Sequence, residues 1–576
     1  MFNALASQVL TLGLAAFVGT GTHIRVDQLG YRRTDPKIGL VLTDLDLSGE
    51  RFTLVSAGPV GGLGATAHPP VRTVGLAHRF QVGADRGQYG NFAHVYELDF
   101  STVTRPGHYY LRLPGGATSP TFSIDDHAYD AVIPTALKFY PVQRCGNTNP
   151  ALHGPCHLNP GLAVGGPSNG LDVVNVGGWH DAGDYIKFLG EESAAAVFLL
   201  EAFDRAPTRF SDGDGDGVPD ALAEARVALE WLLTMWDPVN DILYHQVTWG
   251  QDDHFPWRLP EGDDASPDPG KSHRKTFACA AGKGANVAGR SSAALALAAR
   301  IWGDPTSTFF DPGFSSACLQ GASELFAYGA QRPAVQHPPG GSAETSWRDD
   351  MALAAVELFA ATGAPGYLAE AHGYAAQAGS RFYFNSIGLH AFAHYRLAQL
   401  DPTYVATATN LLRVDVQYVY ASHASANVFR ETLDVMQWGS LTEICGRGLE
   451  ILLYEELSGD LQYHALALDQ WHYNFGLNAF GVSFVNGLGT NWSHYPHHQV
   501  ADPALNPGVP ELLGFWNEGP TQSAIYLAEG ITLDRPDAFA PFQSAFAVYH
   551  DDLQDYVTNE PTVIANAVGI AFAAWL

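Results

Sequence analysis

Lysine is scarce in this chain, occurring only at Lys37, Lys138, Lys187, Lys271, Lys275 and Lys283. Lysine and arginine together number 31 against 60 aspartates and glutamates, a formal charge of −29. Binding phosphate needs a basic face, so this balance argues against nucleic acid and anionic membranes as partners. It suits a neutral polymer ligand and a self-repelling, soluble monomer. No run of about eighteen apolar residues is present, so no membrane anchor is expected. The short apolar run from Val9 to Val18, followed by Gly19 to Gly21, has the form of an export-signal core without a preceding Lys or Arg. Residues 1–21 are therefore expected to be a signal peptide or its remnant, and the protein secreted or periplasmic. At 576 residues the chain has ample length for more than one domain and a large core.

Two regimes follow one another along the sequence. His23 to Val26, Lys37 to Thr43, Arg51 to Val55, His94 to Phe100, His108 to Leu113 and Thr121 to Ile124 are short, rich in β-branched or aromatic residues, and separated by Gly and Pro. They predict a small β-sandwich over 22–127. From Tyr129 onward, apolar residues recur at three- and four-residue spacing. The clearest helical segments are Ala221 to Met235, Ser291 to Trp302, Asp350 to Ala361, Thr442 to Leu457 and Leu461 to Phe475. Weaker ones lie at Tyr129 to Val142, Ser193 to Phe203, Leu319 to Tyr328, Gly366 to Ala378, Leu389 to Ala398, Tyr404 to Tyr420 and Pro561 to Trp575. Long aromatic-bearing loops between these helices would form the rim of a ligand cleft.

One turn carries the clearest chemistry. In Gly177-Gly178-Trp179-His180-Asp181-Ala182-Gly183-Asp184-Tyr185 two carboxylates stand three residues apart among small residues. Such a turn can aim Asp181 and Asp184 at one water, with Gly178 and Gly183 allowing backbone angles that other residues avoid. Read alone, a surface turn is the better reading of the Asp-Ala-Gly-Asp match. A distant acid is available in Tyr549-His550-Asp551, Tyr556, Glu560, Thr562 and Asn566-Ala567.

These segments, in this order, resemble glycoside hydrolase family 9, the cellulases once called family E. The first matches that family's Asp-Ala-Gly-Asp loop, and the second meets its C-terminal motif at every position. A third motif, from Ser483-Phe484-Val485 through Gly489 and Asn491 to Pro496-His497-His498, is partly met: Asn486 replaces a Ser/Thr and Gln499 an Arg. The resemblance implies an (α/α)6-barrel catalytic domain over 128–576. Val26-Asp27-Gln28-Leu29-Gly30-Tyr31 likewise resembles the start of the immunoglobulin-like module that precedes it in many members. That module would be structural, with carbohydrate binding as its alternative.

The activity implied is inverting hydrolysis of β-1,4-glucosidic bonds in cellulose or related β-glucans. Inversion needs a water-activating carboxylate and a proton-donating acid roughly 6.5–9.5 Å apart. By the resemblance, Asp184 would be the base, Asp181 would help hold the water, and Glu560 would be the acid. Asp551 would support that acid indirectly. His497 would contact sugar beside the scissile bond, and Trp438 would stack on it. Gln499 would keep a neutral amide where an arginine fork is usual, and Ala565 replaces a frequent aromatic. Trp249, Trp257 and Trp347 are further stacking candidates, because pyranose rings present apolar faces.

Two metal sites are expected. Asp212, Asp214, Asp216, Val218 and Asp220 have the spacing of an EF-hand-like calcium loop with Gly217 sixth, although Ala223 stands at the twelfth position and Glu224 follows. A solvated acidic turn is the alternative. Cys145, Cys156, His157 and His180 suit tetrahedral zinc, which the resemblance also implies; a Cys145–Cys156 disulfide is the alternative. Cys279, Cys318 and Cys445 remain, so at least one thiol is unpaired. Four Cys/His ligands would leave no open position for catalytic water, which disfavours zinc-dependent hydrolysis. Beside the β-1,4-glucanase reading stand related activities on xyloglucan or gluco-oligosaccharides. A non-catalytic carbohydrate-binding protein on the same fold is the alternative from another class.

Overall fold

The structure is a computed structural model in which residues 21–57, 77–249, 254–338, 344–381, 383–385 and 387–576 are described. The apolar run Val9 to Val18 lies outside them. Two sheets form the N-terminal unit. One is three-stranded, with Ile38–Thr43 between His23–Arg25 and His94–Asp99. The other is five-stranded, ordered Gly30–Tyr31, Phe122–Ile124, Gly107–Arg112, Arg51–Ser56 and Ala77–Gln81. Alternating residues such as Val41, Phe52, Leu54, Tyr96, Leu98 and Leu111 turn inward and form one buried core.

The Asp27-Gln28 pair docks this sandwich onto the helical domain. His472 Nδ1 lies 2.7 Å from the buried Asp27 carboxylate. Gln28 Nε2 donates to the Gly481 carbonyl at 2.9 Å, while Gln28 Oε1 accepts from Thr490 N and Asn491 N. Polar groups buried at an interface must be paired in this way to avoid a desolvation penalty. The observed arrangement is thus an immunoglobulin-like sandwich followed by an (α/α)6 barrel.

Inner and outer helices differ in how much of their surface they bury. Leu189–Arg205, Ala285–Trp302 and Val563–Trp575 are buried on nearly every side. Pro312–Gln331 and Pro365–Ala378 bury one face only. Caps fix their ends: Thr562 accepts from Ala565 N, and Asp311 from Phe314 N. Gly363 and Gly459 stop Arg348–Thr362 and Ser440–Ser458 in left-handed conformation. The segment expected as one helix from Tyr404 to Tyr420 is instead α-helical over Val405–Arg413 and π-helical over Val414–Tyr420. A further sheet lies in the loop region, where Lys187–Phe188 pairs antiparallel with Ile242–Val247 and so anchors the chain leaving the Asp181–Asp184 turn.

Candidate active site

The turn bearing Asp181 and Asp184 is held from several directions. Asp181 N donates to the Ile186 carbonyl, and Ile186 N to Asp184 Oδ1 at 3.0 Å. Val563 N, at the start of the last helix, donates to the Asp181 carbonyl at 2.9 Å. Gln143 Nε2 binds the carbonyls of His180 and Ala182. Gly178 has a φ of +71°, as the sequence suggests. Gly183 does not need positive φ. It is required because a Cβ there would collide with the His497 carbonyl oxygen.

That close approach brings the third motif and Glu560 onto the turn. Gln499 N donates to the Gly183 carbonyl at 2.9 Å, and Gly183 N donates to Glu560 Oε1 at 3.1 Å. Asp181, Asp184 and Glu560 therefore line one cavity of about 1170 Å³. Asp181 Oδ1 is buried and has no hydrogen-bond partner among the described residues. An orphaned acceptor there is a position for a water O–H.

The three carboxyl groups are electrostatically distinct. Burial pushes Asp184 upward, but His254, whose Nε2 contacts Asp184 Oδ2, more than offsets this and holds it below the usual range. Asp181 is raised well above it by burial, then by Glu191 and Asp184. Glu560 is also raised well above, by burial and then by Asp184 and Glu518. One ionised carboxylate and one protonated acid can thus coexist near neutrality, the division that acid–base hydrolysis requires.

An aromatic row runs along the cleft. The Trp257 ring meets His497 edge-on at 4.9 Å, His497 meets Tyr556 at 5.7 Å, and Tyr556 meets Trp438 at 5.7 Å. All four line the cavity, and Trp438 is 44% exposed. Burial lowers His497 to about 4, so its ring is neutral, with Nδ1 bonded to the Leu553 carbonyl. Asp551 binds Ser493 Oγ, His494 N and Tyr495 N, holding the loop beside Asn559 and Glu560.

Three residues picked from the sequence as substrate contacts lie outside the cavity lining. Gln499 is buried beneath it, its side-chain oxygen accepting from Arg258 N at 3.0 Å. Without an arginine's charge, this amide serves as a backbone clamp. Trp347 packs against Tyr374 and Arg348 at the edge of the core. Trp249 is 39% exposed but does not line the cavity. Conversely, His254, Glu191 and Glu518 line it without having been singled out. His254 was detectable, three residues before Trp257 in an acidic loop; Glu518 had no sequence signal.

Cys145, Cys156, His157 and His180 come together, fully enclosed, and all five cysteines are free thiols rather than a Cys145–Cys156 disulfide. His180 Nε2 is 3.3 Å from His157 Nδ1, Cys145 Sγ is 3.6 Å from His157 Nδ1, and Cys156 Sγ is 3.8 Å from His180 Nε2. Zinc bonds of about 2.0–2.1 Å to nitrogen and about 2.3 Å to sulfur set tetrahedral neighbours about 3.3–3.8 Å apart. Burial lowers His180 to about 3, leaving a neutral ring free to act as donor. Asp263 meets His157 Nε2 at 3.1 Å and is itself held by Arg258, the outer support a metal-bound histidine needs. The acidic loop brings Asp212, Asp214 and Asp216 together at the surface. Asp220 Oδ1 accepts from Gly213 N, and Glu224 pairs with Arg144 at 2.8 Å, so Glu224 does not replace the missing twelfth ligand.

Residues 129–573 match the profile of glycosyl hydrolase family 9. The chain belongs to this family. Among the relatives of this family 9 protein, Endoglucanase C of Cellulomonas fimi is 27% identical, with 97% of this chain and 52% of the relative aligned; the chain thus spans about half that relative's length. A xyloglucan-specific endo-beta-1,4-glucanase of Bacteroides ovatus is 26% identical over 83% of this chain and 84% of its own. A metagenome-derived family 9 endoglucanase of known crystal structure superposes with a TM-score of 0.78 at 26% identity, covering 96% of this chain and 99% of its own.

Proposed function

We propose that this family 9 protein hydrolyses β-1,4-glucosidic bonds in cellulose or a related β-glucan such as xyloglucan, with inversion at the anomeric carbon. The observation that carries this reading is one cavity lined by Asp184, whose carboxyl His254 holds below the usual range, by an orphaned Asp181 oxygen and by Glu560, raised by burial, together with an aromatic row. Asp184 takes a proton from water that Asp181 also holds, and the water oxygen bonds to the anomeric carbon. Glu560 gives its proton to the departing glycosidic oxygen. His254 keeps Asp184 ionised, while Trp257, His497, Tyr556 and Trp438 carry the sugar faces.

Proton NMR during hydrolysis of a soluble β-glucan tests the stereochemistry. The first-formed reducing ends should be α-anomers; β-anomers would indicate retention and remove the water-holding role of Asp181 and Asp184.

The enclosed Cys145, Cys156, His157 and His180 set fits zinc, whose contribution there would be structural, cross-linking the segments that precede the catalytic turn. The Asp212, Asp214, Asp216 loop, with Asp220 and the Val218 carbonyl, fits calcium as a stabiliser of the surface before Asp220–Thr234. A cation bound only to the folded state raises its stability by mass action. A calcium chelator should therefore lower the melting temperature, and Asp214→Ala should abolish that sensitivity. An unchanged melting curve after verified calcium removal leaves a solvated acidic turn. No helix among the described residues is long and apolar enough to cross a membrane, and we assign the protein to an exported, monomeric state acting on extracellular glucan.

A further inference from the structure

A second enclosed cluster lies in the barrel interior, apart from the catalytic carboxylates and the Cys/His set. His390 begins the helix His390–Leu400, Asp415 lies in the π-helical Val414–Tyr420, and Glu450 lies midway along Ser440–Ser458. All three side chains are fully buried. We propose that His390, Asp415 and Glu450 form a divalent-metal site, taking zinc or a similar first-row ion through one imidazole nitrogen and carboxylate oxygens, and that this ion braces one wall of the cleft.

Spacing is the first argument. His390 Nε2 lies 3.2 Å from Asp415 Oδ2 and 3.4 Å from Glu450 Oε1. Charge-assisted N–H···O⁻ bonds run at about 2.7–2.9 Å, and one N–H shared between two acceptors is well aligned with neither. Neighbouring donors around a tetrahedral ion with bonds of about 2.0–2.1 Å stand about 3.3–3.4 Å apart. The separations match a cation between the three groups better than a shared proton. They also match the 3.3 Å between the two histidines of the Cys/His cluster.

Unmet bonding capacity is the second argument. Asp415 Oδ1 is buried and has no hydrogen-bond partner among the described residues. A cation, or a water bound to it, would satisfy that oxygen. Glu450 Oε2 is already fixed by the Tyr420 hydroxyl, which donates at 2.6 Å. That is the outer support expected behind a metal-bound carboxylate. The π-helical winding contributes directly. Five residues apart on an α-helix, Asp415 and Tyr420 would diverge by about 140°, whereas the wider i→i+5 turn brings both onto the cluster, a placement seen often at functional sites.

Charge is the third. Two buried carboxylates meet one imidazole, so even a protonated ring would leave a net negative charge in the interior. A divalent ion with neutral imidazole cancels both carboxylates, which a low-dielectric site favours. Arg447, stacked over the Tyr420 ring, is paired with Glu443 instead.

The position gives the ion a role. The segment just before His390 carries Tyr383, Asn385 and Ile387 into the cleft, and the start of the Glu450 helix carries Thr442 and Glu443 there. Joining His390 to Glu450 ties these two stretches of cleft wall together.

Anomalous diffraction at the zinc absorption edge, from full-length protein purified without chelator and supplied with zinc, decides the matter without mutation. The expected result is a peak enclosed by His390, Asp415 and Glu450, whatever is found at the Cys/His cluster. Elemental analysis of Asp415→Asn and His390→Gln should each show one equivalent of metal less than wild type. Cys156→Ser should leave that equivalent in place. Zinc-loaded wild-type crystals with no peak at this cluster, or folded variants with unchanged metal content, would overturn the proposal and leave an imidazolium–dicarboxylate ion cluster.

Discussion

Glu560→Gln should fold normally and lose about 10²–10⁴-fold in kcat on a soluble β-glucan, the usual worth of a general acid. The substitution keeps the shape and can still accept from Gly183 N through its amide oxygen, so the turn and Glu560's position survive. What disappears is the proton for the departing oxygen. The pH profile separates this from simple misplacement. In the wild type, activity should appear as Asp184 ionises, below the usual carboxylate range because His254 outweighs burial. It should fade on the alkaline side as Glu560, raised by burial and then by Asp184, loses its proton. A glutamine cannot titrate, so the alkaline limb should vanish from the residual activity. Asp184→Ala should cost a similar factor and remove the acid limb instead. Near-wild-type turnover in either folded variant would remove that residue from the chemistry.

The fold was legible where local pattern and tertiary demand coincide. Arg51–Ser56, Gly107–Arg112 and Phe122–Ile124 alternate because one face meets a second sheet. Ile38–Thr43 is instead buried on both faces, Val41 in the sandwich and Leu40 and Leu42 against the helical domain. The helix expected from Asp350 to Ala361 is observed as Arg348–Thr362 and stops at Gly363 in left-handed conformation. Leu189–Arg205 was expected only over Ser193 to Phe203; its first turn, which follows directly on the short strand Lys187–Phe188, was not anticipated. The π-helical turn at Val414–Tyr420 left no signal at all in the apolar spacing. Asp27-Gln28 illustrates the opposite case: its short motif encodes contacts with residues more than four hundred positions away.

The same division holds in the cleft. The two-carboxylate turn could be read from its small residues, since bulk near Asp181 and Asp184 would exclude a water. Resemblance, not spacing, suggested Glu560; the Gly183–Glu560 hydrogen bond supplies the geometric link. Gln499 and Trp347 could not be placed from sequence, because whether a polar or aromatic residue faces ligand or packing depends on neighbours distant in the chain. Arg258 turns Gln499 inward, and Tyr374 covers Trp347. Glu518 enters the cavity beside Glu560, its backbone N–H donating to the Glu560 carbonyl at 2.8 Å. Burial, then Glu191, raises it to about 8, so it adds little negative charge beside the acid near neutrality.

Cys156→Ser should lower the melting temperature by on the order of 10 °C and reduce activity with it. The argument begins with adjacency: His180 immediately precedes Asp181, and the Cys145 N–H donates to the Gly178 carbonyl at 2.9 Å. Whatever fixes the cluster therefore fixes both ends of the segment entering the catalytic turn. Bound zinc in small domains contributes about 10–16 kcal/mol of apparent folding free energy. A domain this large has other sources of stability, and each lost kcal/mol moves its melting point by no more than about 2–4 °C. Loss of a few kcal/mol thus predicts a clear shift without global unfolding. A hydroxyl is a poor zinc ligand, and the three remaining donors would be left buried around a weakened ion. Elemental analysis and thiol titration give the independent readout: near-stoichiometric zinc with unoxidised Cys145 and Cys156 in wild type, and reduced zinc in the variant. Positioning and catalysis are then distinguished by kinetics. A positioning cluster predicts that added zinc restores stability and turnover together, because the ion acts on Asp181 and Asp184 through the backbone. A wild-type protein without zinc at this cluster, or a variant with unchanged melting and turnover, would remove the cluster from the support of the active site.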